Sequence, residues 1–392
     1  MKKTVVIILP SLQHGGVPRS LLEAMRVIDT EKYNITIYVY RMNNAWKEYM
    51  PSNIRVIVDI DRSHYYRKPI AIYLQIRILL EKLFRNRNNV NRLANRLHAY
   101  VHENKAKYPA KRYFSNGVDV AISYTMGLCT DMVLNIPARK HYVFFHSSDY
   151  EFHRDISERC FAEFDGIIAV GNRVQQMLKA HFPQYSDKIF LIRNYIDIES
   201  IRRLANEYNV AYKKSEKMYV FASVMRVDKE KGADLVVRAA ARLKEWGISY
   251  VWFIVGDGSE KNKVKQQIED NELSDYVIIE GFKDNPYPYI KCCDVYVHPA
   301  YEESFGLSIL EALYLGKTIV STDTMGAREV LDDGTAGVIV PIDAEAIAKG
   351  ILALIGHPDM KAGLLNRYQF DNDMERSNYK NRWEAMLNGE KL

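Results

Sequence analysis

Glu303 and Glu311 stand eight residues apart with Phe305-Gly306 between them, a spacing that could put two carboxylates around the start of one helix. Upstream, Tyr296-Val-His-Pro-Ala-Tyr301 reads as the end of a buried strand, and downstream Lys317-Thr-Ile-Val-Ser321 reads as the next. Between them, Leu307 to Leu315 has helical apolar spacing and stops at Gly316, a residue suited to end a helix. A strand-loop-helix-strand unit is expected, with Glu303 in the loop and Glu311 roughly 12 Å further along if every step is helical. The helix start near Phe305 would attract an anion through its free N–H groups and dipole. Carboxylates on either side can accept hydrogen bonds from sugar hydroxyls, so the layout suits a ligand that carries both phosphate and sugar. Two surface glutamates on an ordinary helix are the plain alternative, and the rest of the chain has to decide between them.

Cations occur where such a ligand would need them. Arg226 and Lys231 lie in Ser223-Val-Met-Arg-Val-Asp-Lys-Glu-Lys-Gly232, directly after an apolar run. In a strand-to-helix loop they would form a diphosphate clamp, Arg226 as a bidentate fork and Lys231 as a point charge, with Lys229 a solvated neighbour. Gly256-Asp-Gly258 and Gly281-Phe282 close two later apolar runs, and Gly15-Gly16 closes the first run of the chain. Asp59-Ile-Asp61 imitates a metal-binding acidic pair, but no second acidic motif stands beside it and it reads as a turn.

These loops are positioned by a regular alternation of strand and helix. In the first half, strands are expected at 4–9, 33–40, 54–58, 118–123, 141–146, 166–170 and 189–192, with helices at 19–28, 149–164 and 172–182. A charged, irregular connection follows at 197–217. In the second half, strands are expected at 218–223, 250–255, 277–280, 295–298, 318–321 and 337–340. Helices are expected at 232–246, 259–271, 307–315, 344–356 and 373–388. The pattern is α/β, two doubly wound parallel sheets, with ligands held at the carboxyl ends of the strands. The expected division is a first domain over 1–196, a second over 197–370, and a final helix over 371–392 that packs back on the first.

The chain of 392 residues is long enough for two such cores. A hydrophobic content of 47% with 26% charged residues excludes wholesale disorder. Four cysteines (Cys129, Cys160, Cys292, Cys293) lack metal-ligand spacing and suit a reducing compartment. Met1 to Pro10 has too short an apolar run for a signal peptide, and no run reaches a membrane span. A cytoplasmic location is expected. The charge is uneven: between Arg62 and Arg112 there are thirteen Lys/Arg against two acids, mixed with Tyr65, Tyr66, Tyr73, Leu80 and Phe84. Such a basic helical insert can be a solvated face, can bind nucleic acid, or can lie on an anionic membrane surface and make the protein peripheral at the inner face of the plasma membrane.

Arg226, Lys231, Gly256-Asp-Gly258, Gly281-Phe282, Glu303 and Glu311, in this order, resemble the donor domain of a GT-B glycosyltransferase. More narrowly they resemble the retaining family numbered four (glycosyl transferases group 1), with its Arg-x4-Lys-Gly pair and Glu-x-Phe-Gly-x4-Glu. Thr322-Asp-Thr-Met-Gly326 and Gly337-Val-Ile-Val-Pro341 match its late loops. Gly15-Gly16-Val-Pro-Arg-Ser-Leu-Leu-Glu23 matches its N-terminal glycine loop, and Ala169-Val-Gly-Asn172 and Arg193-Asn-Tyr-Ile-Asp197 match the segments before its hinge. The resemblance implies transfer of a sugar from a nucleotide diphosphate sugar, with retention, to a glycan or lipid-linked acceptor of surface-polysaccharide assembly. It implies catalytic roles for Arg226, Lys231, Glu303 and His146, the last contacting the transferred sugar. It implies donor binding by Gly15, Gly16, Gly281, Phe282, Ser304, Phe305, Gly306 and Glu311, the last holding the ribose. No metal or other cofactor and no nucleic-acid partner is implied. Two family glycines are replaced, by Met225 before the clamp arginine and by Tyr195 after the hinge asparagine. Other readings are an inverting transferase or sugar-nucleotide epimerase of the same fold, and a non-catalytic binder of membrane or nucleic acid.

Overall fold

The computed structural model describes residues 2–13, 15–42, 50–59, 106–148, 157–212, 218–357 and 371–390. Residues 60–105, which hold Asp61 and most of the basic insert 62–112, and 149–156 of the helix expected after His146 lie outside the described residues.

The first domain is built on strands β1 (Lys3–Leu12), β2 (Tyr33–Met42), β3 (Arg55–Val58), β4 (Val118–Ser123), β5 (Ala138–Phe145), β6 (Gly166–Ala169) and β7 (Ile189–Leu191). They pair in parallel, in the order β3-β2-β1-β4-β5-β6-β7. Its helices are α1 (Gly16–Val27), α2 (106–114), α3 (Leu128–Leu134) and α4 (Asn172–His181). The strands are apolar on both sides because helices cover both faces: Val5 through Leu9 are all buried.

Helix α5 (Ile198–Leu204) leads into the second domain. There β8 (Tyr219–Val224), β9 (Tyr250–Val255), β10 (Val277–Gly281), β11 (Val295–His298), β12 (Thr318–Thr322) and β13 (Val338–Val340) form a second parallel sheet, ordered β10-β9-β8-β11-β12-β13. Helices α6 (Ala233–Glu245), α7 (Lys261–Asp270), α8 (Tyr287–Cys292), α9 (Leu307–Tyr314), α10 (Met325–Val330) and α11 (Ala344–Gly356) alternate with the strands. In both sheets the strand order reverses at one point, between β1 and β4 and between β8 and β11. That reversal opens a crevice at the carboxyl ends.

The last helix, α12 (Asn372–Asn388), lies on the first domain. Trp383 stacks on Phe144 with ring centroids 5.1 Å apart, and Lys3 Nζ donates to the Asn388 carbonyl at 2.8 Å. Tyr195 stacks on Tyr379 and donates to Asn372 Oδ1 at 3.1 Å, so this bulky side chain ties the connection between the domains to α12. One cluster of buried side chains runs without a break from the first sheet through α12 to the second domain.

Helix α5 corrects the expected irregular connection at 197–217. Its N-cap Asp197 accepts from Glu199 N at 3.1 Å, but only Ile198 and Ile201 are buried, too few for an apolar period to be read. Helices α3 and α10 were likewise unread, being seven and six residues long. Asp59 ends β3 and accepts a hydrogen bond from the buried Tyr38 hydroxyl at 2.5 Å, a structural partner in the core.

Candidate active site between the two domains

Lys231 and Glu303 meet because two strand ends are drawn together. Lys231 closes the turn after β8, and the next residue, Gly232, takes a left-handed φ of 71°. A Cβ there would stand 1.9 Å from the Pro299 carbonyl at the end of β11, so glycine is what lets the two loops touch. Across that contact Lys231 Nζ donates to Glu303 Oε2 at 2.9 Å and to the Glu302 carbonyl at 3.2 Å. His298, the last residue of β11, is buried and brings its Nε2 within 3.6 Å of Glu303 Oε2. Burial works against the charge of Glu303, but His298 and Lys231 outweigh it and hold the carboxyl well below the usual carboxylate range. Glu303 is therefore a carboxylate at neutral pH.

The other oxygen of Glu303 faces its own loop. Oε1 accepts from the backbone N–H groups of Ser304 at 3.1 Å, Phe305 at 3.3 Å and Gly306 at 3.1 Å. Gly306 takes a φ of 86° as N-cap of α9, which turns these donors into one hollow. In place of the external anion expected at this helix start, the chain's own carboxylate occupies the hollow.

The first domain closes directly over this loop. Ser304 Oγ donates to the His146 carbonyl at 2.6 Å, and a Cβ on Gly16 would be 3.5 Å from Leu307 Cδ1 at the first turn of α9. The His146 ring packs against Tyr124 (4.9 Å between centroids) and Phe144 (6.0 Å), and its Nε2 is buried without a hydrogen-bond partner. Burial pushes its pKa down to about 3, so the ring is neutral at pH 7. Gly15 precedes α1 as its N-cap, at the same rim.

Thus Lys231, Ser304, Phe305 and Gly306 all bond Glu303, and His146 through its carbonyl and Gly16 through Leu307 meet the same loop from the first domain. Four expected residues stand differently. Arg226 is half-exposed, and its guanidinium is held by Asp228 at 2.5 Å and Glu230 at 2.6 Å, so the open clamp drawn from the sequence is internally paired here. Glu311 is 8% exposed and accepts from the Tyr287 hydroxyl at 2.9 Å. Burial raises its pKa, opposed by Arg19 of the first domain and by the Tyr287 bond. Arg19 itself lies over the Tyr287 ring at 5.9 Å, so this carboxylate belongs to an interdomain cluster. Gly281 and the exposed Phe282 end β10, the edge strand three positions from β11, hence roughly 14 Å away at ordinary strand spacing. A nucleotide spans that gap; a phosphate does not. Met225 is buried in the core of the second domain, its carbonyl packed on Gly256.

His298 was missed. It read only as a strand terminus, although it lies five residues before Glu303 on the same strand-loop unit.

Two doubly wound domains facing each other across their strand ends define the GT-B class of fold. Residues 205–367 match the family model of glycosyl transferases group 1. An uncharacterized glycosyltransferase of Methanocaldococcus jannaschii is 28% identical over 173 residues, 43% of this chain and 42% of that protein. The N-acetylgalactosamine-N,N'-diacetylbacillosaminyl-diphospho-undecaprenol 4-alpha-N-acetylgalactosaminyltransferase of Campylobacter jejuni is 30% identical over 182 residues, 46% of this chain and 48% of that protein. The chain spans about half the length of these curated relatives. The Anabaena protein HepE, solved with UDP and glucose, superposes with a TM-score of 0.65 at 16% identity, covering 98% of this chain and 99% of that one. Among the described residues no helix is long and apolar enough to cross a membrane.

Proposed function

We propose that this chain is a retaining glycosyltransferase that moves a sugar from a nucleotide diphosphate sugar to a glycan or lipid-linked acceptor. The observation that carries the proposal is the Lys231–Glu303 pair, 2.9 Å apart on neighbouring strand ends, in a loop that Ser304 ties to the His146 carbonyl of the facing domain. The match of residues 205–367 to a transferase family supports it.

In this reading the bond from the anomeric carbon to the diphosphate breaks, and a bond from that carbon to the acceptor oxygen forms on the same face. The acceptor's proton passes to the departing phosphate. Negative charge grows on the diphosphate, where Lys231 can neutralise it and Arg226 can turn from Asp228 and Glu230 to do the same. Glu303 keeps lone pairs for sugar hydroxyls, and neutral His146 offers a ring nitrogen to the sugar. Glu311 and Tyr287 lie on the side toward β10, where the nucleoside would extend to Phe282. Cations replace a metal in this scheme, so no metal or other cofactor is required. The C. jejuni relative carries diphospho-undecaprenol in its name. A polyprenyl-diphosphate-linked acceptor at the cytoplasmic membrane face, reached through the basic insert, extends the proposal to surface-polysaccharide assembly.

A screen of nucleotide sugars with excess chelator tests it. One donor should release its nucleoside diphosphate at an undiminished rate, and the product should keep the donor's anomeric configuration by NMR. Release that stops with chelator and returns with magnesium or manganese overturns the metal-free mechanism; an inverted product favours the inverting alternative.

A further inference from the structure

Glu329 crosses between the domains. It lies on α10 of the second domain, yet its carboxylate caps α4 of the first. Oε1 accepts from Asn172 N at 3.1 Å and from Asn172 Nδ2 at 2.9 Å, and Oε2 accepts from Arg173 N at 3.0 Å. Arg193 Nε, also of the first domain, stands 3.4 Å from Oε1, and the Glu329 side chain is only 3% exposed. Helix α4 needs this partner. Its N-cap is Gly171, which has no side chain to offer, and its first turn has no acidic residue.

The same carboxylate is tied to the cleft loop. One turn earlier on α10, Gly326 N donates to the Glu303 carbonyl at 2.8 Å. The Arg193 guanidinium lies over the Phe305 ring at 5.7 Å, and that ring packs on Gly171, where a Cβ would be 3.1 Å away. Separating the domains would break the cap of α4, unpair Glu329 and uncover Phe305 in one movement. The Arg173–Asp333 ion pair across this seam is solvated, with side chains 33% and 54% exposed.

We propose that Glu329 is a positioning residue that latches the two domains closed and thereby sets the Glu303–Gly306 loop. Its effect on catalysis rests on the transferase reading above; its effect on closure does not. The test compares wild type, Glu329→Ala and, as a control on the solvated pair, Asp333→Asn, by small-angle X-ray scattering and by donor kinetics. Glu329→Ala should show a larger radius of gyration than wild type. Its donor KM should rise on the order of tenfold with kcat largely recovered at saturation, because a smaller closed fraction raises the apparent dissociation constant in proportion. Asp333→Asn should stay near wild type in both, and Glu329→Gln, which keeps one acceptor oxygen, should fall between. A merely structural role would lower kcat at unchanged KM. That outcome, or a wild-type radius of gyration in Glu329→Ala, overturns the proposal. If Glu329→Ala does not fold, Asn172→Ala removes the 2.9 Å side-chain bond alone. It should give the same shifts in smaller measure, and their absence is equally decisive. Opening by scattering without transfer from any donor would sink the transferase reading and leave the latch standing.

Discussion

On the second domain's side Lys231 and Glu303 form a charged pair beside His298, whereas on the first domain's side a neutral His146 is packed against Tyr124 and Phe144. The first arrangement is suited to neutralise a leaving diphosphate, the second to hold an uncharged sugar away from water. The contrast also explains what can be read from a chain. The charged side comes from residues close in sequence, on consecutive strand-loop units over 223–311. The neutral side depends on aromatic packing that brings α12, near the end of the chain, against β5.

The largest expected effect comes from breaking the charged side. Lys231→Ala or Glu303→Gln should lower kcat/KM on the order of 10²-fold or more, since each removes a preorganised electrostatic contact. Each also removes the partly buried Lys231–Glu303 contact, costing about 1–3 kcal/mol of stability, readable by denaturant unfolding. Near-normal turnover in either variant would refute the site.

On the neutral side, His146→Ala should reduce turnover roughly tenfold, while His146→Gln should also sharpen the comparison through pH. Folded His146 takes up a proton only near pH 3, whereas its unfolded counterpart does so near 6.5. Stability due to this residue therefore falls as pH drops below 6.5, by up to about 1.4 kcal/mol per unit. Glu303 is held below its ordinary value of 4.5, so its contribution is full above that pH and is lost below it. His146→Gln should flatten the upper part of the acid unfolding curve and Glu303→Gln the lower part. Identical curves for both variants would contradict the assignment of charge to one face and neutrality to the other.

A smaller effect is expected from the insert. Neutralising Arg85, Arg87, Arg92 and Arg96 together should weaken binding to anionic vesicles by about 1 kcal/mol per cation at low salt and spare donor hydrolysis. Unchanged vesicle binding would reduce the insert to a solvated face. The smallest effect belongs to solvated pairs: Arg242→Ala, which loses the exposed contact with Glu245 at 2.7 Å, should leave the denaturation midpoint near wild type.

Apolar runs such as Tyr250–Val255 and Val295–His298 made the strands legible to the residue, because both faces of a covered parallel sheet are apolar. Short helices were not legible, since α5 buries only two side chains that matter to a period. In the site, the loops carrying Lys231 and Glu303 could be placed at the carboxyl ends of strands, and the structure makes those strands neighbours and brings the two side chains together. That Arg226 is paired by Asp228 and Glu230, or that Glu303 fills its own N–H hollow, depends on side-chain geometry that residue types do not encode. Glu329 is the extreme case: its partner Asn172 is 157 residues away, and nothing local marks the pair.

Calorimetric titration of nucleoside diphosphate into wild type, Lys231→Ala and His146→Ala tests the division between the two faces most directly. The nucleotide is the one released in the donor screen. Lys231→Ala should lose at least tenfold in affinity, while His146→Ala should bind like wild type despite its slower turnover. Equal binding by all three proteins, or an equal loss in both variants, would contradict a charged donor face set against a neutral sugar face.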